Sequence, residues 1–242
     1  MFGFQGEKII MINIFSYFYY NYYRPKIFFP KKSYSMLDED IFINNFFKNK
    51  KKGIYLDVGA YHPLEGNNTY LLYKKKNWSG VNIDVNPLSI KLFQRSRKGD
   101  LNINSAISNK KGVTAFYFRK KINMLNTLSK KIAKLQFKNG FQKKKIKTNT
   151  LNNILRESKY VNKKIDFFNL DVEGHELQVL KSINLKKYKP TLICVEIHNQ
   201  EEMFNHNTDY LKRNPVNKLL LNHRYSIVWN NRYSYIYKLM RK

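Results

Sequence analysis

A chain of 242 residues, 43% of them hydrophobic, has room for one α/β core and a small appendage but not for two full domains. One cysteine excludes an internal disulfide framework and favours a reducing, cytoplasmic setting; Cys194 itself, inside the apolar run TLICVEI, reads as a small buried hydrophobe rather than a nucleophile. Forty-five basic against seventeen acidic residues give a formal charge of +28, which points toward nucleic acid or an anionic surface, although lysine supplies most of it in short scattered runs such as Lys50–Lys52, Lys74–Lys76 and Lys143–Lys145 that a lysine-rich coding background also produces.

Ile9 to Tyr23 is apolar and aromatic but holds Asn13, Asn21 and several tyrosines. It is shorter than the ~20 apolar residues of a bilayer-spanning helix and lacks the basic leader and cleavage site of a secretory signal. Its tyrosines, with Arg24 and Lys26 behind them, suit a peripheral contact at a membrane surface; packing on the domain or on a partner subunit is the equal alternative. Pro25 and Pro30 break this run, so residues 1–34 are expected as an aromatic N-terminal extension and 35–242 as the domain proper. Met36 to Phe47 has a helical period with acids at its start, and Asp38 and Glu39 read there as a solvated first turn.

The stretch Gly53 to Tyr70, GIYLDVGAYHPLEGNNTY, organises the rest. An apolar run stops at Asp57 and passes through Gly59 into a polar loop and then a helix, as a buried strand does where a ligand crosses the carboxyl ends of an open α/β sheet. GVNIDVNP is a second strand ending in Asp84, placed so that its carboxylate can accept both hydroxyls of a ribose. Pro87 starts a helix to about Arg97, Leu101 to Ser108 reads as one third strand, and Val113 to Phe118 alternates as a further strand. Arg119 to Gln142 is a basic insertion without clear period; a lid or acceptor-recognition segment and an ordinary solvated excursion both remain open. A short strand and helix over Lys145 to Arg156 lead to IDFFNLDVEGHELQVL, a strand ending at Asp171 and an amphipathic helix, and TLICVEIH forms another strand. YSIVWN and YSYIYKL across a tight turn make a terminal hairpin.

LDVGAYHP, the loop Asn67 to Thr69, NIDVNP, LDVEGHELQVLKS and VEIH, in this order and spacing, resemble the FkbM family of S-adenosylmethionine-dependent methyltransferases over roughly Ser35 to His198. The resemblance implies an α/β, Rossmann-like class I methyltransferase fold with a seven-stranded, mostly parallel sheet and a C-terminal antiparallel hairpin. It also implies S-adenosylmethionine as cofactor and O-methylation of a small-molecule or glycan hydroxyl. Asp57, Gly59, Ala60, Tyr61, Asn68, Asp84, Asn86, Ser105, Ala106 and Asp171 are then the cofactor-binding set, with small Ser105 and Ala106 leaving room for adenine. One departure is that His62, Pro63 and Leu64 fill a first loop that is commonly short and glycine-rich in the family; His62, extended before its proline, is expected to reach over the cofactor.

Five polar residues, Asp171, Glu173, His175, Glu196 and His198, gather where two apolar strands end, more than packing explains, and form the candidate catalytic set. His175, following Gly174 at a helix start, is the expected general base, with Asp171 and Glu196 orienting it or the acceptor. No metal is expected, although Asp171, Glu173, Glu196 and His198 offer the ligands a hard divalent cation accepts. His206 and His223 read as surface or structural. An RNA-directed methyltransferase and a non-catalytic binding module of the same fold are the competing readings; a small anionic partner, such as a phosphorylated glycan or lipid head group, ranks ahead of nucleic acid.

Overall fold

Two apolar strands buried on both faces set the frame: β1 (Ile54–Val58) and β7 (Phe167–Leu170), whose only polar side chains are Asp57 and Asn169. The computed structural model describes residues 32–119, 123–197 and 208–240. Around β1 and β7 lie β2 (Ser79–Asp84), β3 (Leu101–Asn104), β8 (Leu192–Glu196), β9 (Tyr225–Asn230) and β10 (Ser234–Leu239), in the sheet order β3-β2-β1-β7-β8-β10-β9. Strands β3 to β8 of this order run parallel, and β10 pairs antiparallel with both β8 and β9. The seven-stranded, mostly parallel, Rossmann-like sheet with a C-terminal hairpin is therefore present as expected.

Side chains of alternate residues leave β1 on opposite faces. Leu56 and Val58 join the larger apolar cluster with Leu151, Leu155, Val179 and Tyr237, whereas Tyr55 joins Phe167, Leu192, Trp78 and Ile43. Ile43 belongs to α1 (Glu39–Phe46), which begins three residues later than the sequence period suggests, after Asp38 in the left-handed region at φ 66°. The solvated first turn expected there holds for Asp38, which is exposed, and not for Glu39. Glu39 is buried, accepting from Asn231 and Ser234 in the hairpin turn at 2.8 and 2.9 Å, and Asp40 is buried under hydrogen bonds from Ser33, Tyr34 and Ser35. Glu39 thus ties the leading helix to the far edge of the sheet, and Asp40 ties it to the segment that precedes it.

Helices α2 (Tyr70–Lys76) and α3 (Pro87–Ser96) carry the crossovers between β1, β2 and β3, with Pro87 in the first turn of α3 and Asn86 capping it by accepting from the Leu88 amide at 3.0 Å. The single strand read over Leu101 to Ser108 is in fact two. After Asn104 the chain leaves the main sheet, and β4 (Ala106–Ile107) joins a second, three-stranded sheet of order β4-β6-β5 with β5 (Gly112–Phe118) and β6 (Gln142–Asn149). The insertion returns through α4 (Lys130–Gln136), whose Ala133 packs with Tyr117 and Phe137. The chain then runs through α5 (Leu151–Arg156), α6 (Glu176–Leu180), α7 (Leu185–Tyr188), α8 (Thr208–Arg213) and α9 (Pro215–Asn222). Among the described residues no helix is long and apolar enough to cross a membrane. The aromatic run 9–23, His198 and His206 lie outside the described residues.

Candidate active site

The carboxyl ends of β1, β2 and β7 open on one cleft, and its foundation is Asp57. This side chain is wholly buried, and its carboxylate accepts from Asn169 at 2.9 Å, Thr69 at 3.0 Å and Asn67 at 3.3 Å. Burial raises its pKa, while these donors and the Arg97 guanidinium pull it down. Arg97, only 1% exposed, is caged by Phe93, Tyr70, Tyr73 and Tyr55 with 5.1–5.9 Å from guanidinium carbon to ring centre. It donates to the Pro63 carbonyl at 2.6 Å, to Asn67 and to the Thr69 hydroxyl, both at 2.7 Å. The loop after β1 is thus held from beneath by one buried cation. His62 serves the same loop rather than reaching over a ligand: it is fully buried, and its Nδ1 accepts the Leu64 and Glu65 amides at 3.2 and 2.9 Å, which places its proton on Nε2.

Gly59, at φ 80°, sits where β1 and β7 come closest, and any Cβ there would collide with the Asp171 carbonyl oxygen. Its amide and that of Ala60 donate to the Ile83 carbonyl at 3.0 and 3.1 Å, folding the loop back across the end of β2. There Asp84 faces the cleft. One carboxylate oxygen accepts the Tyr61 amide at 2.8 Å and the other the Asn86 amide at 2.7 Å, and the Ser89 side chain adds a hydrogen bond, which still leaves the carboxylate acceptor capacity for a further partner. Burial, more than these amides offset, pushes its pKa up to about 6.

At the end of β7, Asp171 lines the same cleft, with its pKa raised well above the usual value by burial first and then by the negative charges of Glu196 and Glu173. Asp171 and Glu196 lie close enough that ionising both at once is disfavoured. One oxygen each of Asp171, Glu173 and Glu196 lie within 4.8 Å of one another. The insertion supports this cluster directly. Gln136 donates to the Glu173 carboxylate at 2.6 Å, Thr127 donates to the Glu173 carbonyl at 2.6 Å, and Ile132 packs on Gly174 so closely that no side chain fits there. Glu173 itself is in the left-handed region at φ 55°.

Of the residues proposed from sequence, Gly59, Ala60, Tyr61, Asn68, Asp84, Asn86, Ser105, Ala106, Asp171 and Glu173 line the cleft. Asp57 lies behind the wall, coupled to it through Asn169, which in turn accepts from Asn68 at 2.9 Å. Glu196 stands behind Asp171. His175 does not line the cleft; half-buried at the start of α6, its Nε2 meets the Ser108 hydroxyl at 3.2 Å and burial lowers its pKa. The peptide geometry explains the difference, because the αL turn at Glu173–Gly174 points Glu173 inward and sends His175 toward β4. His198 lies outside the described residues. Sequence reasoning missed Asn67, Ser89, Asn169 and the insertion residues Asn123, Met124, Asn126, Thr127 and Leu128, which close one side of the cleft. The only signal for the last group is its place between two basic pairs. The cavity holds about 90 Å³, less than the roughly 300 Å³ at the low end for ligand pockets.

No curated protein and no solved structure matches the chain significantly. The family model described as the methyltransferase FkbM domain matches residues 57–225, which include every element of the cleft from Asp57 to the acid cluster and more than half of the sequence. The chain belongs to the FkbM methyltransferase family.

Proposed function

We propose that the protein is an S-adenosylmethionine-dependent O-methyltransferase acting on a hydroxyl of a small-molecule or glycan acceptor. The observation that carries this reading is one cleft lined by two differently used acids: Asp84, with acceptor capacity to spare beside small Ser105 and Ala106, and Asp171, backed by two more carboxylates. These residues fit the cofactor. Asp84 would hold the ribose hydroxyls, and the acid cluster would face its cationic end, since negative charge stabilises a sulfonium and an ammonium alike. When bound, the cofactor supplies an electrophilic methyl group that passes to the acceptor oxygen as the carbon–sulfur bond breaks.

What the chain adds is alignment and a proton acceptor. Alignment comes from the Arg97-anchored loop and the Gly59 approach, which fix both acids on rigid strand ends. For the base the geometry favours Asp171 over His175: Asp171 is in the cleft, and burial beside Glu196 and Glu173 raises its proton affinity. Asp171→Asn should lower turnover at saturating cofactor at least about 100-fold, besides weakening the cofactor, while His175→Ala should stay within about 3-fold of the parent. Radiolabelled methyl transfer to a candidate hydroxyl acceptor measures both, and the reverse order of effects removes Asp171 from the role.

A second reading rests on the 4.8 Å spacing of the Asp171, Glu173 and Glu196 oxygens, which suits a hard divalent cation that orients the acceptor hydroxyl. Turnover abolished by chelator and restored by magnesium or manganese would select it.

A further inference from the structure

We infer that the edge of the molecule carrying the cleft is a docking face for an anionic lipid surface, so that the acceptor is a membrane-borne molecule; only this last clause rests on the methyl-transfer reading. The first observation is how unevenly charge is distributed. Residues 101–156 contain 14 lysines and arginines and no acid, whereas the remaining 186 residues hold 31 basic residues and all 17 acids. Less than a quarter of the chain therefore carries half of the net charge of +28, which a uniform lysine-rich background does not produce.

The fold places the middle of that segment, Asn123 to Leu128, along one side of the cleft. Ile132 and Gln136 of α4 contact Gly174 and Glu173 at the end of β7, which leaves Lys130, Lys131, Lys134 and Leu135 exposed on the outer side of the helix. The second observation is apolar. Leu135 is 51% exposed and Leu125, beside the cleft-lining Met124, 40%; Met36 and Leu37 are 65% and 45% exposed. Met36 belongs to the same rim: a Cβ on cleft-lining Gly66 would lie 3.4 Å from the Met124 methyl and 3.8 Å from the Met36 sulfur.

Lysines interspersed with exposed aliphatic side chains match the boundary between anionic head groups and acyl chains. A single-stranded nucleic acid would be served by aromatic platforms instead, and the exposed apolar residues of the rim are methionine and leucine.

Co-sedimentation with phosphatidylcholine vesicles containing roughly 30% phosphatidylserine, at about 0.15 M salt, tests the surface without any methyl donor, so its outcome and that of the methyl-transfer reading are independent. The full chain should bind these vesicles and not pure phosphatidylcholine. Lys130→Glu/Lys131→Glu/Lys134→Glu should weaken partition by about 100-fold or more, and Met36→Asp/Leu125→Asp by at least about 10-fold. Lys186→Glu/Lys187→Glu/Lys189→Glu, on the α7 turn before β8 at the opposite end of the strands, should change it by less than about 3-fold, since charge that far from the surface is screened. Thermal unfolding of each variant confirms that it is folded. Equal losses from the two lysine sets, or no loss from the apolar pair, overturn the proposal; apolar variants that weaken retention of single-stranded RNA as much as vesicle binding overturn it in favour of nucleic acid.

Discussion

Asp84 shows how one residue ties the site to the stability of the empty protein. Its pKa of about 6 in the folded chain lies above the 3.8 of a free carboxyl, so between these values the folded state holds a proton that the unfolded state has lost. Its contribution to stability is complete below about pH 4 and is lost as pH rises through about 6, amounting to at most about 3 kcal/mol. Asp57 and Asp171, also raised, add slopes of the same sign. Urea titrations of the cofactor-free protein should show stability falling over this window, and Asp84→Asn should flatten part of the fall; an unchanged slope would mean that Asp84 is ionised throughout. The carboxylate was legible in the sequence because an acid closing an apolar strand has few other uses. The pKa was not, because it follows from burial beneath Tyr61 and Ser89, which come from other elements.

At the scale of elements, the joint between α3, α2 and the loop after β1 depends on Arg97, which a reader of the sequence takes for the end of a solvated helix. Nothing local distinguishes it from Arg95, two residues earlier. Its cage is assembled from β1, α2 and α3 only once they pack. Arg97→Met should remove the donors to Pro63, Asn67 and Thr69 and leave Asp57 without its compensating charge, a loss of about 3–5 kcal/mol. Calorimetric melting should register this as a fall of roughly 10 °C or more, and a fall under about 2 °C would show the cage to be dispensable. Strands β1, β2, β7 and β8 were readable because each is an apolar run with a polar end. The break at Ser105 was not, since it is decided by pairing of Ala106 and Ile107 with Thr148 and Asn149, some forty residues on. The place of His175 was hidden for a related reason: its neighbour Gly174 suggested a projecting side chain, but with Glu173 and Gly174 both in a left-handed turn it is Glu173 that lines the cleft.

For the molecule as a whole, a parallel sheet delivers Asp84 and Asp171 to one edge, and the basic insertion closes over them from outside the sheet. The insertion is anchored at Glu173 and Gly174, so the segment that walls one side of the cleft is the same one that steadies the acid cluster. Equilibrium calorimetry of S-adenosylmethionine binding to the parent chain and to Asp84→Asn, each at pH 7.5 and at pH 5, tests the account most directly. Binding should be saturable in the parent, weaker at the lower pH as Asp84 takes up its proton, and at least about 10-fold weaker in Asp84→Asn with the pH dependence reduced. Absence of binding in the parent, or equal affinity in both proteins at both pH values, would contradict it.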